Sequence, residues 1–438
     1  MNIFAEAAAE QPLGGIPIGP PPTRREIFAT IVPGVVSLLL GGVVAIVLGA
    51  LQDEHRLSAA GIGLCATLEA LVMAIVTGAA AAALPPRHLR LIGIVSSLAL
   101  GVLDLATMGA QSTAIMVLRT LAGIPDGILL WLTIGMIARS AVPARWAGVF
   151  LTALTASQLG LALAYVWVIP RFGADGAFAG LAITAFAGIV FAFWLPKSYA
   201  PLPKPENESG MPPPRGWIAL FASLLIMASI GAVGTYLQPL AHQAGLDAGV
   251  ARTAVWVSLM FQIAGGSLAT ALAHRLHWFP AFVISMIGFV LGWAIFDFQV
   301  SALVFVLANS CVGFMGLFIG PFIVPMTIEA DPSLRAAMQS AGAQVLGAAI
   351  GPALAIFVIG DQNVHGAIFL GVALLLAGMI IVTGLHLFAM RERHALAAEK
   401  PSAPRDPRDV LFEGTRGAPV TISADEGGDH AGHERVAQ

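Results

Sequence analysis

Apolar runs close to the length of a bilayer crossing alternate along this chain with short polar breaks. A helical crossing takes about 20 mostly apolar residues. Such runs are read at 27–51, 58–83, 90–109, 113–138, 145–169, 174–195, 215–240, 247–273, 279–297, 301–327, 336–359 and 364–389. They fall into two sets of six around a proline- and charge-bearing linker at 197–214. Ser58 and Asp247 fit as helix N-caps, where a side-chain oxygen accepts an orphan backbone N–H. After Met390 the chain turns polar, with acidic and basic residues mixed, which predicts a disordered tail. The predicted fold is an all-α integral membrane protein with twelve transmembrane helices in two pseudo-symmetric six-helix bundles. Its parts are an N-terminal segment 1–26, a first bundle 27–196, the linker, a second bundle 215–390 and a tail 391–438.

The two sets echo one another at a fixed offset of 189 residues. Leu57-Ser58-Ala59 recurs as Leu246-Asp247-Ala248, His88 as His277, Ser112 as Ser301, Val117-Leu118 as Val306-Leu307, Gly127 as Gly316 and Pro143 as Pro332. No gap is needed between 57 and 143. Caps, basic loops and a proline stay in phase with the spans, and tandem membrane halves suggest a secondary transporter with its solute site between them. The echo fails at the charges: Glu69 maps to Ser258, Arg119 to Ala308 and Asp126 to Met315.

Composition agrees with the pattern. The chain is 57% hydrophobic and 11% charged, against about 25% charged for a soluble protein, and its mean hydropathy is +0.84. A net charge of -3 gives no case for nucleic-acid binding. Cys65 and Cys311 both lie in apolar runs, which argues against a disulfide framework or a thiolate metal site. The first 26 residues lack the charge-then-apolar order of a signal peptide, so the first run is expected to stay as a span. With the N-terminus inside, Arg24, Arg25, Arg87, Arg90, Arg139, Arg145, Lys197, Lys204, Arg215, Arg275 and Arg335 face the cytoplasm, and Arg56, Arg171 and Arg252 do not. The positive-inside bias therefore predicts two cytoplasmic termini.

Several motifs resemble the major facilitator superfamily. Gly266-Ser-Leu-Ala-Thr-Ala-Leu272-Ala273-His274-Arg275 is similar to the family's Gly…Leu-Ala-Asp-Arg loop, with His274 in place of the Asp. The first-half loop Leu84-Pro-Pro-Arg87-His-Leu-Arg90 keeps the basic residues without the Asp. Arg119-Thr-Leu-Ala-Gly123 resembles the Arg-x-x-x-Gly motif of the fourth span, and Pro143-Ala-Arg145 and Gly173-Ala-Asp-Gly-Ala-Phe178 sit where members carry similar residues. The resemblance, over about 27–390, implies two bundles rocking around a central site. It also implies cytoplasmic gate loops at Arg87, Arg90, His274 and Arg275, for which simple topology marking is the alternative.

An ionisable group in hydrocarbon costs at least about 2.5–3.5 kcal/mol, so each needs a reason. Glu69, Asp104, Arg119 and Asp126 lie well inside spans, and Asp297 lies near an end, where a solvated terminus explains it. The tight turn at Gly109–Ser112 brings Asp104 and Arg119 to similar depth, which predicts an ion pair. Asp126, seven residues on, shares the face of Arg119 two turns deeper. Asp126 and Glu69 are the candidate proton-coupling residues, and Arg119 with Asp104 forms either a substrate anchor or an internal pair. The alternative is a static network in which Arg119 is neutralised by Asp104 or Asp126. Gln158, Gln262, Asn309, Gln344 and Tyr236 are candidate cavity groups or interhelical hydrogen bonds. Gly347-x-x-x-Gly351-Pro352 in the eleventh span reads as close packing with a kink, or as a flexible element.

The expected function is secondary active transport of a small organic solute across a bacterial inner membrane by alternating access, coupled to protons. An organic anion is favoured, because Arg119 offers a bidentate cation. The alternatives are proton-driven efflux of apolar drug-like compounds and a non-transporting membrane sensor or assembly factor. No enzyme motif is present. The expected partners are a solute, protons and membrane lipid, with no cofactor, no metal and a monomeric chain.

Overall fold

The computed structural model describes residues 18, 23–57, 59–202, 211–246, 248–298, 300–359 and 365–399. Among these the backbone is helical apart from connecting segments and one isolated bridge, Arg87 to Ser198. In chain order the helices are α1 (Arg24–Asp53), α2 (Ala59–Ala83), α3 (Leu89–Thr107), α4 (Ser112–Arg139), α5 (Pro143–Ala192) and α6 (Pro214–Gly234). There follow α7 (Leu237–Gln243), α8 (Ala248–Leu272), α9 (Trp278–Phe296), α10 (Ala302–Ala330), α11 (Arg335–Ala355) and α12 (His365–Glu399).

Ten of these are long and apolar enough to cross a membrane by length and composition; α7 and α11 are not among them. The count differs from the twelve expected for two reasons. α5 runs for 50 residues, about 75 Å at 1.5 Å per residue, and so covers two of the predicted spans. Gly173 breaks it with φ 64 and ψ -161, a conformation that residues with a Cβ seldom adopt. α11 occupies the eleventh predicted span, but its sequence is rich in small and polar residues. The predicted caps Ser58 and Asp247 lie outside the described residues, as does most of the tail. Residues 391–399, expected to be disordered, instead continue α12. Their sequence RERHALAAE is composed largely of strong helix formers.

The 189-residue offset is visible in the backbone. α2 and α8 begin and end 189 residues apart, and so do α3 and α9. His277 and Ser301 cap the helices that follow them: His277 Nδ1 accepts from the N–H of Phe279 at 3.3 Å, and Ser301 Oγ accepts from that of Val304 at 3.4 Å. Their counterparts differ, since His88 sits at φ 56 with no side-chain cap and Ser112 at φ 38. At the start of α1, Thr23 and Glu26 form a capping box: Thr23 N donates to Glu26 Oε2 at 2.9 Å, and Thr23 Oγ1 accepts from Glu26 N at 3.3 Å.

Packing forms two main apolar cores. One is built from residues between Ile31 and Leu195, joined by Val324, Ala337, Met338 and Ala341 from α10 and α11. The other runs from Ala219 to Val382, joined by Ala144 from α5. Phe172, Ile183, Phe369 and Ile380 point outward instead and are exposed, as helices in a hydrocarbon solvent allow.

A polar staple holds one end of the first set. Arg56, between α1 and α2, donates to the carbonyls of Ala110 (2.9 Å) and Thr107 (3.2 Å) and to Glu54 (3.1 Å) and Asp175 (2.7 Å). Glu54 in turn accepts from the N–H of Ala174 at 2.6 Å, just past the Gly173 break. Burial works against the Arg56 charge, but the hydrogen bonds to Asp175 and Glu54 and their charges outweigh it and raise its pKa above the usual arginine value.

Candidate functional site

The buried charges converge inside the first helix set. α2 supplies Glu69, α3 supplies Asp104, and α4 supplies Arg119 and Asp126. Arg119 is 1% exposed and Asp126 3%, so bulk water does not solvate these charges. Arg119 Nε donates to Glu69 Oε2 at 3.1 Å while Nη2 donates to Glu69 Oε1, a side-on bidentate pair. Its Nη1 donates to Asp104 Oδ1. Phe178, in the second part of α5, lies with its ring centroid 5.7 Å from the guanidinium carbon. The two edges of Arg119 that would bind a carboxylate solute therefore already face two carboxylates.

Helix packing explains how Glu69 arrives there. A Cβ built on Gly123 would stand 2.6 Å from the Glu69 carbonyl oxygen and 3.0 Å from Met73 N. α4 thus touches the backbone of α2 one turn from Arg119, a close approach that needs a residue without a side chain. Asp104 reaches Arg119 across the short α3–α4 turn. The Asp126 carboxyl group accepts no hydrogen bond among the described residues. With Asp104 and Arg119 it lines a cavity of about 10 Å³, whose other walls include Ser37, Leu100 and Thr184. That is near the smallest space that can hold one water molecule. Every wall of this cavity lies between Val36 and Thr184, inside the first half.

The neutral polar groups do not gather into one constellation. A second cavity of about 60 Å³ lies where α1, α4 and α5 meet α10 and α11, lined by Leu38, Leu130, Ile134, Phe150, Leu151, Val324 and others. Gln344 is the one polar side chain among its described lining residues. Gln158 Nε2 donates to the Leu38 carbonyl at 2.8 Å, which ties α5 to α1. Asn309 is buried between α10 and α8, its Nδ2 donating to the Ala254 carbonyl at 2.9 Å. Gln262 is half-buried in α8, and half-buried Tyr236 precedes α7. Asp297 ends α9 and pairs with His365.

The basic loops separate in the structure. His274 and Arg275 are exposed after α8, with Arg275 Nε 3.1 Å from His274 Nε2. Arg87 and Arg90 face a far larger cavity together with Arg139, which the sequence presents as a topology marker but the structure buries. Nothing in the spacing announces this, because an arginine closing an apolar run looks the same whether it faces solvent or folds under the linker. Asp331 is a further buried acid not singled out in the sequence. It accepts from Ser333 N at 3.0 Å and Ala336 N at 2.8 Å and so caps α11.

Comparison with known proteins adds the following. The family model of the Major Facilitator Superfamily matches residues 34–345. No curated protein matches the sequence. Among solved structures, a human organic anion transporter, MFSD10 (TETRAN), aligns with a TM-score of 0.66 at 14% identity, covering 83% of this chain and 100% of its own. The transporter FucP in an outward conformation aligns at 0.65 and 11% identity, covering 82% and 98%. The proton:xylose symporter XylE aligns at 0.60 and 12%, covering 83% and 95%. At such identities the likeness is one of fold.

Proposed function

The chain belongs to the major facilitator superfamily, and from that premise we propose that it is a proton-coupled secondary transporter of a small organic solute. It is a multi-pass membrane protein of a transporter family, not one of enzymes. In this reading twelve crossings form two six-helix bundles that rock about the space between them. Counting α5 twice across the Gly173 break and adding α11 to the ten candidate helices supports that number. In this reading both termini are cytoplasmic and the membrane is a bacterial inner membrane; the positive-inside bias of the basic loops supports the orientation.

One observation carries the coupling: two carboxylates pair with a single guanidinium, and a third carboxyl group lines the same small cavity, in a region shielded from water. Two carboxylates meet Arg119, and Asp126 beside them has no hydrogen-bond donor among the described residues. Uncompensated charge is costly in hydrocarbon, so the cluster can reach charge balance by carrying protons. Rearrangement of α2 against α4 changes how many it needs. Asp126 and Glu69 are the coupling groups in this reading, with Asp104 and Arg119 setting the balance.

For the solute, the geometry supports a neutral or apolar organic molecule over the anion expected from the sequence. Arg119 is engaged by Glu69 and Asp104, and the cavity between the halves is apolar except for Gln344. Export of apolar compounds fits that lining, and the neighbouring organic anion and xylose transporters name the two rival solute classes. The test uses proteoliposomes with an imposed pH gradient and a panel of apolar compounds, neutral sugars and organic acids. Accumulation with matching proton movement is expected for the first class. Accumulation without proton movement would remove the coupling, and preference for organic acids would remove the solute assignment.

A further inference from the structure

A cavity of about 940 Å³, sharing no lining residue with either cavity above, lies at the end of the molecule where the linker leaves α5. The linker builds it. Tyr199 N donates to the Pro86 carbonyl at 3.0 Å, Leu89 N donates to the Lys197 carbonyl at 3.2 Å, and Tyr199 Oη donates to the Leu132 carbonyl at 2.8 Å. The segment is thereby strapped over the ends of α2 and α4. Arg335 and Met338 at the start of α11 complete the wall.

The chemistry of the lining is one-sided. Arg87, Arg90, Arg139, Lys197 and Arg335 line it, and no aspartate or glutamate does among the described residues. Among the described residues Arg87, Arg90, Arg139 and Lys197 make no ion pair with a carboxylate. Arg139 is 7% exposed. Its Nε donates to the Ala200 carbonyl at 2.9 Å and its Nη1 to that of Gly135 at 2.8 Å, while Tyr199 packs on it with its ring centroid 5.2 Å away. Its Nη2 makes no hydrogen bond among the described residues. A buried guanidinium held in place by carbonyls, with one amine uncommitted and no counter-charge among the described residues, is costly unless something anionic joins it. The first turn of α3 points the same way. His88 provides no side-chain cap, so the N–H groups of Arg90 and Leu91, both lining residues, lie at an uncapped helix start, which favours an anion.

We propose that this cavity is a binding site for an anionic phosphate group, gripped by Arg139 from within and by Arg87, Arg90 and Lys197 at its rim. Arginine forks match phosphate oxygens, and several cations around one space select a group with more than one acceptor oxygen. A basic pocket at the cytoplasmic end of membrane helices is also where an anionic lipid headgroup can sit, so a lipid phosphate and a soluble phosphate share this chemistry. The site does not depend on the transport reading.

The experiment uses the full chain in nanodiscs of phosphatidylcholine, which carries no net charge. One arm titrates inorganic phosphate and follows heat by calorimetry; the other adds phosphatidylglycerol and counts retained lipid by native mass spectrometry. Saturable binding in the first arm assigns a soluble phosphate, and binding in the second arm alone assigns a lipid headgroup. Either should weaken about tenfold or more in the double variant Arg87→Gln, Lys197→Gln, whose side chains are exposed, and fall as salt rises. Arg139→Gln should weaken it further, but that residue also holds two carbonyls, so the exposed pair decides. No saturable binding in either arm, or binding unchanged in the double variant, overturns the proposal.

Discussion

Glu69 and Arg119, fifty residues apart in sequence, meet side-on in the interior: Arg119 Nε lies 3.1 Å from Glu69 Oε2, and Nη2 donates to Glu69 Oε1. Because α2 and α4 approach closely here, the pair joins the two helices through charge as well as packing. Removing the cation while leaving Glu69 and Asp104 buried should be severe. Arg119→Leu is expected to lower stability by about 3–5 kcal/mol, the range for breaking a buried ion pair from one side. Thermal unfolding in detergent checks this, and a change under about 1 kcal/mol would mean that the carboxylates shed their charge without cost.

Asp126→Asn should separate folding from coupling. The side chain keeps its size and loses only the titratable group, and Asp126 makes no hydrogen bond among the described residues that the change would break. The unfolding temperature should stay within a few degrees, and solute exchange without a gradient should persist, while proton-driven accumulation is lost. Intact accumulation in this variant would remove Asp126 from the coupling role.

The α2–α4 contact predicts a contrast between two glycines. Gly123→Val must push a side chain against the Glu69 carbonyl and Met73 N, with an expected cost of about 1–3 kcal/mol for overpacking. At Gly41, in α1, a Cβ would meet no atom within 4 Å, so Gly41→Ala should be neutral or stabilise by up to about 1 kcal/mol through helix propensity. Equal effects from the two substitutions would contradict the close approach.

The staple at Arg56 should be cooperative. Arg56→Gln removes bonds to Glu54, Asp175 and two carbonyls, and a loss of about 1–3 kcal/mol is expected. Glu54 and Asp175 are partly exposed, which holds the figure down. A double-mutant cycle with Asp175→Asn should return a coupling of about 0.5–1 kcal/mol that shrinks in high salt. A coupling of zero would mean that the carbonyl contacts alone fix Arg56.

Much of the architecture was legible because lipid imposes it. Apolar runs of bilayer length, phased loop residues and the 189-residue offset locate the long helices, and the shared bounds of α2 with α8 and α3 with α9 follow that offset. Asp104 and Arg119 could be paired from sequence because a four-residue turn makes their helices neighbours. The Glu69–Arg119 contact could not, since it depends on which face of α2 meets α4, and helices apolar on every side carry no marker of rotation. Arg139 was illegible for a related reason: its burial is decided by where the linker folds back, a path that local composition does not encode. Among the neutral groups, Asn309 and Gln158 turned to backbone carbonyls, an outcome that side-chain type leaves open.

The broken repeat has a physical consequence beyond marking where the chemistry lies. Where the first half joins its second and fourth helices through Glu69 and Arg119, the second half makes the corresponding join with neutral groups: Ser258 Oγ donates to the Asn309 carbonyl at 3.3 Å, and Asn309 Nδ2 donates to that of Ala254 at 2.9 Å. A transmembrane voltage does work only on charge, about 2.3 kcal/mol per elementary charge moved through 100 mV. At these two joins, therefore, a voltage has charge to act on in the first half's contact and only neutral groups in the second's.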